Sequence, residues 1–286
     1  MDFDAFIRDI REHRWEVHGA EVYDHGRLIH AWGDTDGAHE LYSVTKSVLS
    51  VALGIAWDRG LIRFEKPVLT YIPPEYLDRM SSRQRETWGK ITLHRLMTMS
   101  VSDLPFRPEG EDWLAFSLGV PIPRPEEKVF HYTNISAYLA GVALTEAAGK
   151  DAGRFIEEEI FDSLGIKDHS LGRSPEGYFY GASGMKLSVH DLSRIGLTLC
   201  DGGQYLGKRI VSGEYVRQAA SVLQMNREGG YGYFFWKYRD GFSMNGKLKQ
   251  RCHVLPERGL VITYLSNIED PSPALRESME RHLLDA

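Results

Sequence analysis

Apolar positions along the first sixty residues follow two periods, and each period predicts a different element. Over residues 3–13, Phe3, Phe6, Ile7 and Ile10 share one side of a helix, which predicts an amphipathic helix. Glu16–Tyr23 and Arg27–Trp32 read as short strands joined across Asp24-His25-Gly26, a hairpin-turn signature. A polar stretch, Gly33–Glu40, then leads into Leu41–Trp57, which starts polar and becomes apolar with helical spacing. Val48, Leu49, Ala52, Leu53 and Ala56 form one broad face there, and Gly60 waits beyond the end. A buried helix is predicted.

From Arg63 to about Ser170 strand signals nearly vanish. Tyr71-Ile72-Pro73-Pro74 breaks the chain, Ile91–Met99 reads as a short helix with Thr92 near its start, and residues 101–130 are proline-rich loop. Asn134–Ala148 and Ala152–Leu164 are predicted helices, closed by Gly149 and followed by Gly165. Leu187–Cys200, with Ser188 as its cap, and Val211–Val222 are further helices. Strand periodicity returns in Tyr231–Tyr238, Phe242–Leu255 and Leu260–Ser266, joined at Arg239-Asp240-Gly241 and Pro256-Glu257-Arg258-Gly259, before a last helix over Pro273–Leu284. Strands at both ends with helices between them predict an α+β fold: one antiparallel sheet flanked by helices. The expected division is a lobe built from residues 1–60 and 171–286, a helical lobe over 61–170, and an active site between them.

Composition narrows the function classes. The 286 residues are 42% apolar and 26% charged, ordinary for a globular protein with a large core. A net charge of −6 without a long basic cluster argues against a nucleic-acid partner. The acidic start Met1-Asp2-Phe3-Asp4 is unlike a secretory signal, and no apolar run is long enough to span a bilayer. Two distant cysteines, Cys200 and Cys252, suit reduced thiols, so a cytoplasmic protein without membrane attachment is expected. The eleven histidines are scattered, with no metal-ligand spacing and no phosphate-binding glycine loop. No metal or cofactor is expected.

Candidate chemistry starts at the polar end of the Leu41–Trp57 helix. Ser43 and Lys46 are three residues apart, a spacing that puts a hydroxyl and an amine on the same side of a first turn. A lysine made less stable as an ammonium can take the proton of a serine nucleophile. On spacing alone, Ser43 serves equally as a cap and Lys46 as a surface lysine. A second Ser-x-x-Lys, Ser183–Lys186, lacks an apolar helix after it. In Val129-Phe130-His131-Tyr132-Thr133-Asn134, Tyr132 and Asn134 can both point into a cleft, or Asn134 can cap the next helix. A phenol beside an ammonium is expected to shift towards phenolate and to exchange protons. Around Met244-Asn245-Gly246-Lys247, a glycine within a strand marks close backbone approach, and the amide of Lys247 can join that of Ser43 as an oxyanion donor.

Together these pieces resemble the β-lactamase-related serine hydrolases, which include class C β-lactamases, penicillin-binding D-Ala-D-Ala peptidases, D-aminopeptidases, family VIII-type esterases and amide-oligomer hydrolases. Ile91–Ser102 is similar to the family's ITxRHLLTHTSG segment and Phe130–Asn134 to its FxYSN. Phe161–Ile166 is similar to IFxPLGM, Gly181–Gly196 to GGLxSTxxDLxRFG, and Val254–Asn267 to the closing strand pair. The resemblance implies Ser43 as nucleophile, Lys46 as proton acceptor and Tyr132 as proton shuttle. Asn134, Asn245, Gly246 and Lys247 are then the substrate-binding set, with Asn134 also able to orient Lys46. Departures bear on substrate. The family's Lys-Thr-Gly or His-Thr-Gly strand motif is Met244-Asn245-Gly246 here, Thr98–Ser102 lacks the motif's glycine, and the later Gly-Gln is Lys249-Gln250. Lys247 or Lys249 is left as a partial substitute for the missing basic residue. The expected function is hydrolysis of small esters or amides through an acyl-enzyme on Ser43. A β-lactamase or D-Ala-D-Ala-type peptidase, or a catalytically weakened binding protein of the same fold, are the alternatives.

Overall fold

In the computed structural model, which describes residues 1–285, both ends of the chain meet in one antiparallel sheet. Its strands are β1 (Val17–Asp24), β2 (Arg27–Gly33), β3 (Trp236–Tyr238), β4 (Gly241–Asn245), β5 (Arg251–Leu255) and β6 (Leu260–Ser266). They lie in the order β2-β1-β6-β5-β4-β3. Pairing of β1 with β6, with Val22 opposite Ile262, is what joins the two ends.

Side-chain parity divides the sheet into two apolar layers. On β5, Cys252 and Val254 face helix Val189–Cys200, where Gly196 has no room for a methyl because its Cβ would lie 2.6 Å from the Cys252 sulfur. Leu255 belongs to the other layer, with Ile262 and Tyr264 of β6, and packs with Phe6, Ile10, Leu275 and Met279 of the terminal helices. Those helices, α1 (Phe3–Glu12) and the segment Ala274–Leu284, are also tied by polar contacts. The Ser278 hydroxyl and the His282 Nε2 both meet Oδ2 of Asp9, at 2.6 and 3.1 Å.

The predicted buried helix is α2 (Val44–Asp58), and every residue from Val44 to Ala56 is buried. Its polar side is held by main-chain acceptors: Ser47 and Ser50 donate to the carbonyls of Phe234 and Tyr233 at 2.7 and 2.6 Å. Gly54 lets the ring of Tyr215 pack within 2.4 Å of where a Cβ would stand. Among the described residues, none between 64 and 170 joins the large sheet. The main helix of that stretch is α3 (Asn134–Ala148), which packs on α2 and ends at Gly149 in the left-handed conformation.

Three departures from the sequence reading have local causes. Pro74–Arg79, Ser82–Trp88 and Trp113–Gly119 are short helices where only breaks and loop were expected; Ser81 and Asp112 cap the last two. Tyr231–Tyr238 is a strand only at its end, because Tyr231 makes isolated bridges to Gln224 and Trp236. Phe242–Leu255 is not one strand but β4 and β5, joined by a tight turn over Gly246–Gln250 in which Leu248 and Lys249 have φ of 57° and 67°. Lys247 and Lys249 therefore do not alternate across a sheet. Both cysteines are free thiols, as expected.

Candidate active site

Ser43 occupies the position before the first residue of α2, yet its side chain makes no capping bond. Tyr42, immediately before it, holds φ at 50°, a conformation costly for a side chain with a Cβ and one that packing around a functional site commonly sustains. The hydroxyl instead meets Lys46. Lys46 Nζ donates to Ser43 Oγ at 3.0 Å, to Asn134 Oδ1 at 2.8 Å and to the carbonyl of Ala182 at 2.8 Å. These acceptors use all three ammonium hydrogens but include no carboxylate. Lys46 is 1% exposed, and burial brings its ammonium down from 10.5 to about 7. It is the opposite of a solvated surface lysine.

Tyr132 completes the cluster. Lys46 Nζ lies 5.0 Å from the centre of its ring. Burial pushes that phenol up to about 12, outweighing the Ser43 hydroxyl, which favours the ionised form. The expected shift towards phenolate is thus reversed: a lysine that is itself losing its charge offers too little to offset desolvation. Near neutral pH Tyr132 rests protonated, and Lys46 is the group that gives up its proton more readily.

The segment bearing Tyr132 and Asn134 is stitched to the loop before it. His131 N donates to the Met99 carbonyl at 2.7 Å, Asn134 N to the Phe106 carbonyl at 2.6 Å, and Thr133 Oγ1 to the Pro105 carbonyl at 2.6 Å. Arg95, buried and without a carboxylate partner among the described residues, donates to the carbonyls of Ser100, Pro125 and Glu127 and so fixes the proline-rich loop. Thr133, not Asn134, caps α3, since its hydroxyl accepts from Ile135 N at 3.1 Å. Asn134 is released for Lys46. Its amide nitrogen donates to the Tyr180 hydroxyl at 2.9 Å, which fixes which end of the amide faces the lysine.

Tyr180 and the Ala182 carbonyl are the members that sequence reasoning missed. The Gly181–Gly184 segment was readable only as a family pattern, and its backbone role in holding Lys46 carries no side-chain signal. The second Ser-x-x-Lys ends at Lys186, which is exposed in a two-residue strand opposite Glu40, away from this cluster.

Gly246 lies against the chain just before Ser43; Asn245 faces elsewhere. A Cβ on Gly246 would stand 2.3 Å from the Leu41 carbonyl oxygen, so only glycine lets the turn lie against the chain just before Ser43. Among the described residues, the N–H groups of Ser43 and Lys247 donate to no protein acceptor, which leaves both available to an oxyanion. Gly246→Ala is expected to cost about 1–3 kcal/mol in stability through overpacking. It should also lower kcat by about 10² as the Lys247 amide is displaced; denaturant melts and ester kinetics check both. Asn245 points to the other face of the sheet, where Oδ1 accepts from Ser243 Oγ at 2.5 Å. Its predicted substrate contact is replaced by that bond because strand parity pairs it with Arg251. The Lys247 side chain is exposed, and Lys249 Nζ donates to the Ser272 carbonyl at 2.5 Å. Neither lysine is held at Ser43.

The profile of the Beta-lactamase family matches residues 3–286. The chain belongs to the Beta-lactamase family. Members resembling it in structure include a class C β-lactamase from Rhodobacter sphaeroides (19% identity, TM-score 0.75, 99% of each chain covered). A Bacillus anthracis protein described as a 6-aminohexanoate-dimer hydrolase is similar at 18% identity and a TM-score of 0.80, over 98% of this chain and 80% of that one. An octameric penicillin-binding protein homologue from Pyrococcus abyssi is similar at 17% identity and a TM-score of 0.71, over 99% and 77%. No curated protein matches by sequence. Family membership makes the chain a serine hydrolase in type. Among the described residues no helix is long and apolar enough to cross a membrane, and no group of three or more His, Cys, Asp or Glu side chains is arranged to hold a metal.

Proposed function

We propose that the protein hydrolyses small carboxylic esters or amides through an acyl-enzyme on Ser43. The observation that carries this reading is the buried Lys46 ammonium, 3.0 Å from the Ser43 hydroxyl and brought down to about 7. Ser43 Oγ attacks the carbonyl carbon as its proton passes to Lys46 Nζ, while the amides of Ser43 and Lys247 receive the oxyanion. Tyr132 delivers a proton to the departing alcohol or amine, the carbon–leaving-group bond breaks, and the acyl group remains on Ser43. Water then gives a proton back through Lys46 and Tyr132 and attacks the acyl carbon. The acid leaves and Ser43 regains its hydrogen. Asn134 orients Lys46 through Oδ1.

Substrate class follows from what the rim lacks. At the position of the family's basic strand motif, Met244 is buried in the core and Lys249 lines the cavity on the other face of the sheet, so neither offers a cation there to a β-lactam or peptide carboxylate. A neighbour described as a 6-aminohexanoate-dimer hydrolase is consistent with an ester or amide substrate. The test is a substrate pair: turnover of p-nitrophenyl butyrate with slow or no turnover of nitrocefin is expected, and efficient nitrocefin cleavage would contradict it.

The pH profile follows from the two displaced groups. Lys46 must be neutral to accept a proton, and it gains its proton as pH falls through about 7. Tyr132 stays protonated until about 12. The kcat/KM for a neutral ester is expected to fall tenfold per pH unit below about 7 and to be level from about 8 to 10. A stopped assay across pH 5–10 checks the limb; a midpoint near 4 or above 9 would remove Lys46 as the base.

A further inference from the structure

On the face of the sheet turned away from Ser43 lies a cavity of about 600 Å³. Strand parity puts Ser243 and Asn245 of β4, Arg251 and His253 of β5 and Tyr264 of β6 on its floor, and Pro273 and Arg276 of the terminal helical segment at its wall. Six arginine and lysine side chains and His253 line it against one carboxylate, Glu228. This is a concentrated positive surface in a chain whose net charge is −6.

Carboxylates balance only part of that charge, since Lys237 and Lys249 donate to the carbonyls of Gly241 and Ser272. Arg239 is paired with Glu280 and Asp285, and Arg276 reaches Glu280 only at 3.7 Å from an exposed position. Arg251 forms no ion pair among the described residues. Its Nη1 donates to the carbonyls of Gly246 and Gln250 at 2.9 and 2.8 Å, which leaves its Nε and Nη2 hydrogens without protein acceptors. Beside it His253 is 1% exposed, and neither ring nitrogen has a partner. A buried imidazole without hydrogen-bond partners is costly unless a ligand or ordered water completes it.

We propose that this cavity is a binding site for a phosphate-type oxyanion, held by Arg251, His253, Lys249 and Arg276. The charge is divided among three elements, β5, the Gly246–Gln250 turn and the terminal helix, so a multivalent tetrahedral anion suits it better than a single carboxylate. Arg251 links the two faces of the sheet. The guanidinium that meets the anion also holds the Gly246 carbonyl, one residue before the Lys247 amide. Occupancy therefore stiffens the turn that lies against the chain before Ser43. The binding claim does not depend on Ser43 being a nucleophile.

Calorimetric titration of the full chain with inorganic phosphate, in low-chloride buffer, tests the site. Saturable one-to-one binding is expected, and Arg276→Glu should weaken it at least tenfold. Arg83→Glu makes the same charge change at an exposed position far along the chain and should leave the affinity within twofold. Arginine Nε–Hε resonances give a second readout that needs no variant: that of Arg251 should shift on titration. Glycerol 3-phosphate in place of phosphate separates the sources of the group, since tighter binding assigns the cavity to a phosphomonoester and weaker binding to the free ion. Absence of saturable binding by both, or equal loss in Arg276→Glu and Arg83→Glu, would overturn the proposal.

Discussion

Ser43→Ala is expected to lower kcat for p-nitrophenyl butyrate by on the order of 10⁴–10⁶, to the background of the assay. The size follows from the role: the alanine protein has no atom to carry the acyl group, so none of the proton machinery has a reaction to serve. Stability should change little. The hydroxyl makes no capping bond to the helix, and Lys46 keeps its bonds to Asn134 and Ala182 after the truncation. Loss of turnover with an unchanged melt therefore reports chemistry rather than folding. A Ser43→Ala protein with full activity would remove the nucleophile and, with it, the oxyanion role of the Lys247 amide.

Lys46→Met is the second large effect. Removal of a positioned general base typically costs about 10²–10⁴ in rate, and the upper part of that range is expected because no other base is placed at Ser43. Stability carries a separate signature. In the folded protein Lys46 sits near 7, against 10.5 for an exposed lysine. A lysine depressed in this way disfavours the fold most strongly below pH 7, where the buried group must carry its proton, and the penalty fades as pH rises towards 10.5. The displacement corresponds to roughly 5 kcal/mol between the two limits. Wild-type stability is thus expected to rise between pH 7 and 10 by more than that of Lys46→Met, measured by urea melts at each pH. Parallel curves for the two proteins would mean that Lys46 is not desolvated. The same penalty speaks against a purely structural role for the site. A scaffold of this fold gains nothing from a buried amine that destabilises it at neutral pH.

The sequence made the first half of the site legible because its signal is local. Ser43 and Lys46 lie on one helical turn, and the apolar run after them specifies the burial that displaces the lysine. The Tyr132–Asn134 pair was visible as a spacing, but its partner choice was not. That Thr133 rather than Asn134 caps α3 depends on the extended backbone of Thr133 and on Pro105 and Phe106, which receive its hydroxyl. The Ala182 carbonyl, 136 residues from Lys46, is a backbone atom, so no residue type announces it. The Gly246–Gln250 turn was hidden for a different reason. Leu248 and Lys249 adopt left-handed φ without the glycine or asparagine that marks such turns, so the pattern ran on as a strand. The short helices Ser82–Trp88 and Trp113–Gly119 are capped by Ser81 and Asp112 and bury Trp88 and Leu114, signals that the proline-rich flanks masked.

Covalent labelling tests the central claim most directly. After exposure to a fluorophosphonate probe, intact-mass spectrometry should show a single adduct per chain, with digestion mapping it to Ser43 and no adduct in Ser43→Ala. Labelling should strengthen as pH rises through about 7, as the Lys46 ammonium gives up its proton. An unmodified chain, or an adduct that persists in Ser43→Ala, would contradict the assignment of Ser43 as the nucleophile.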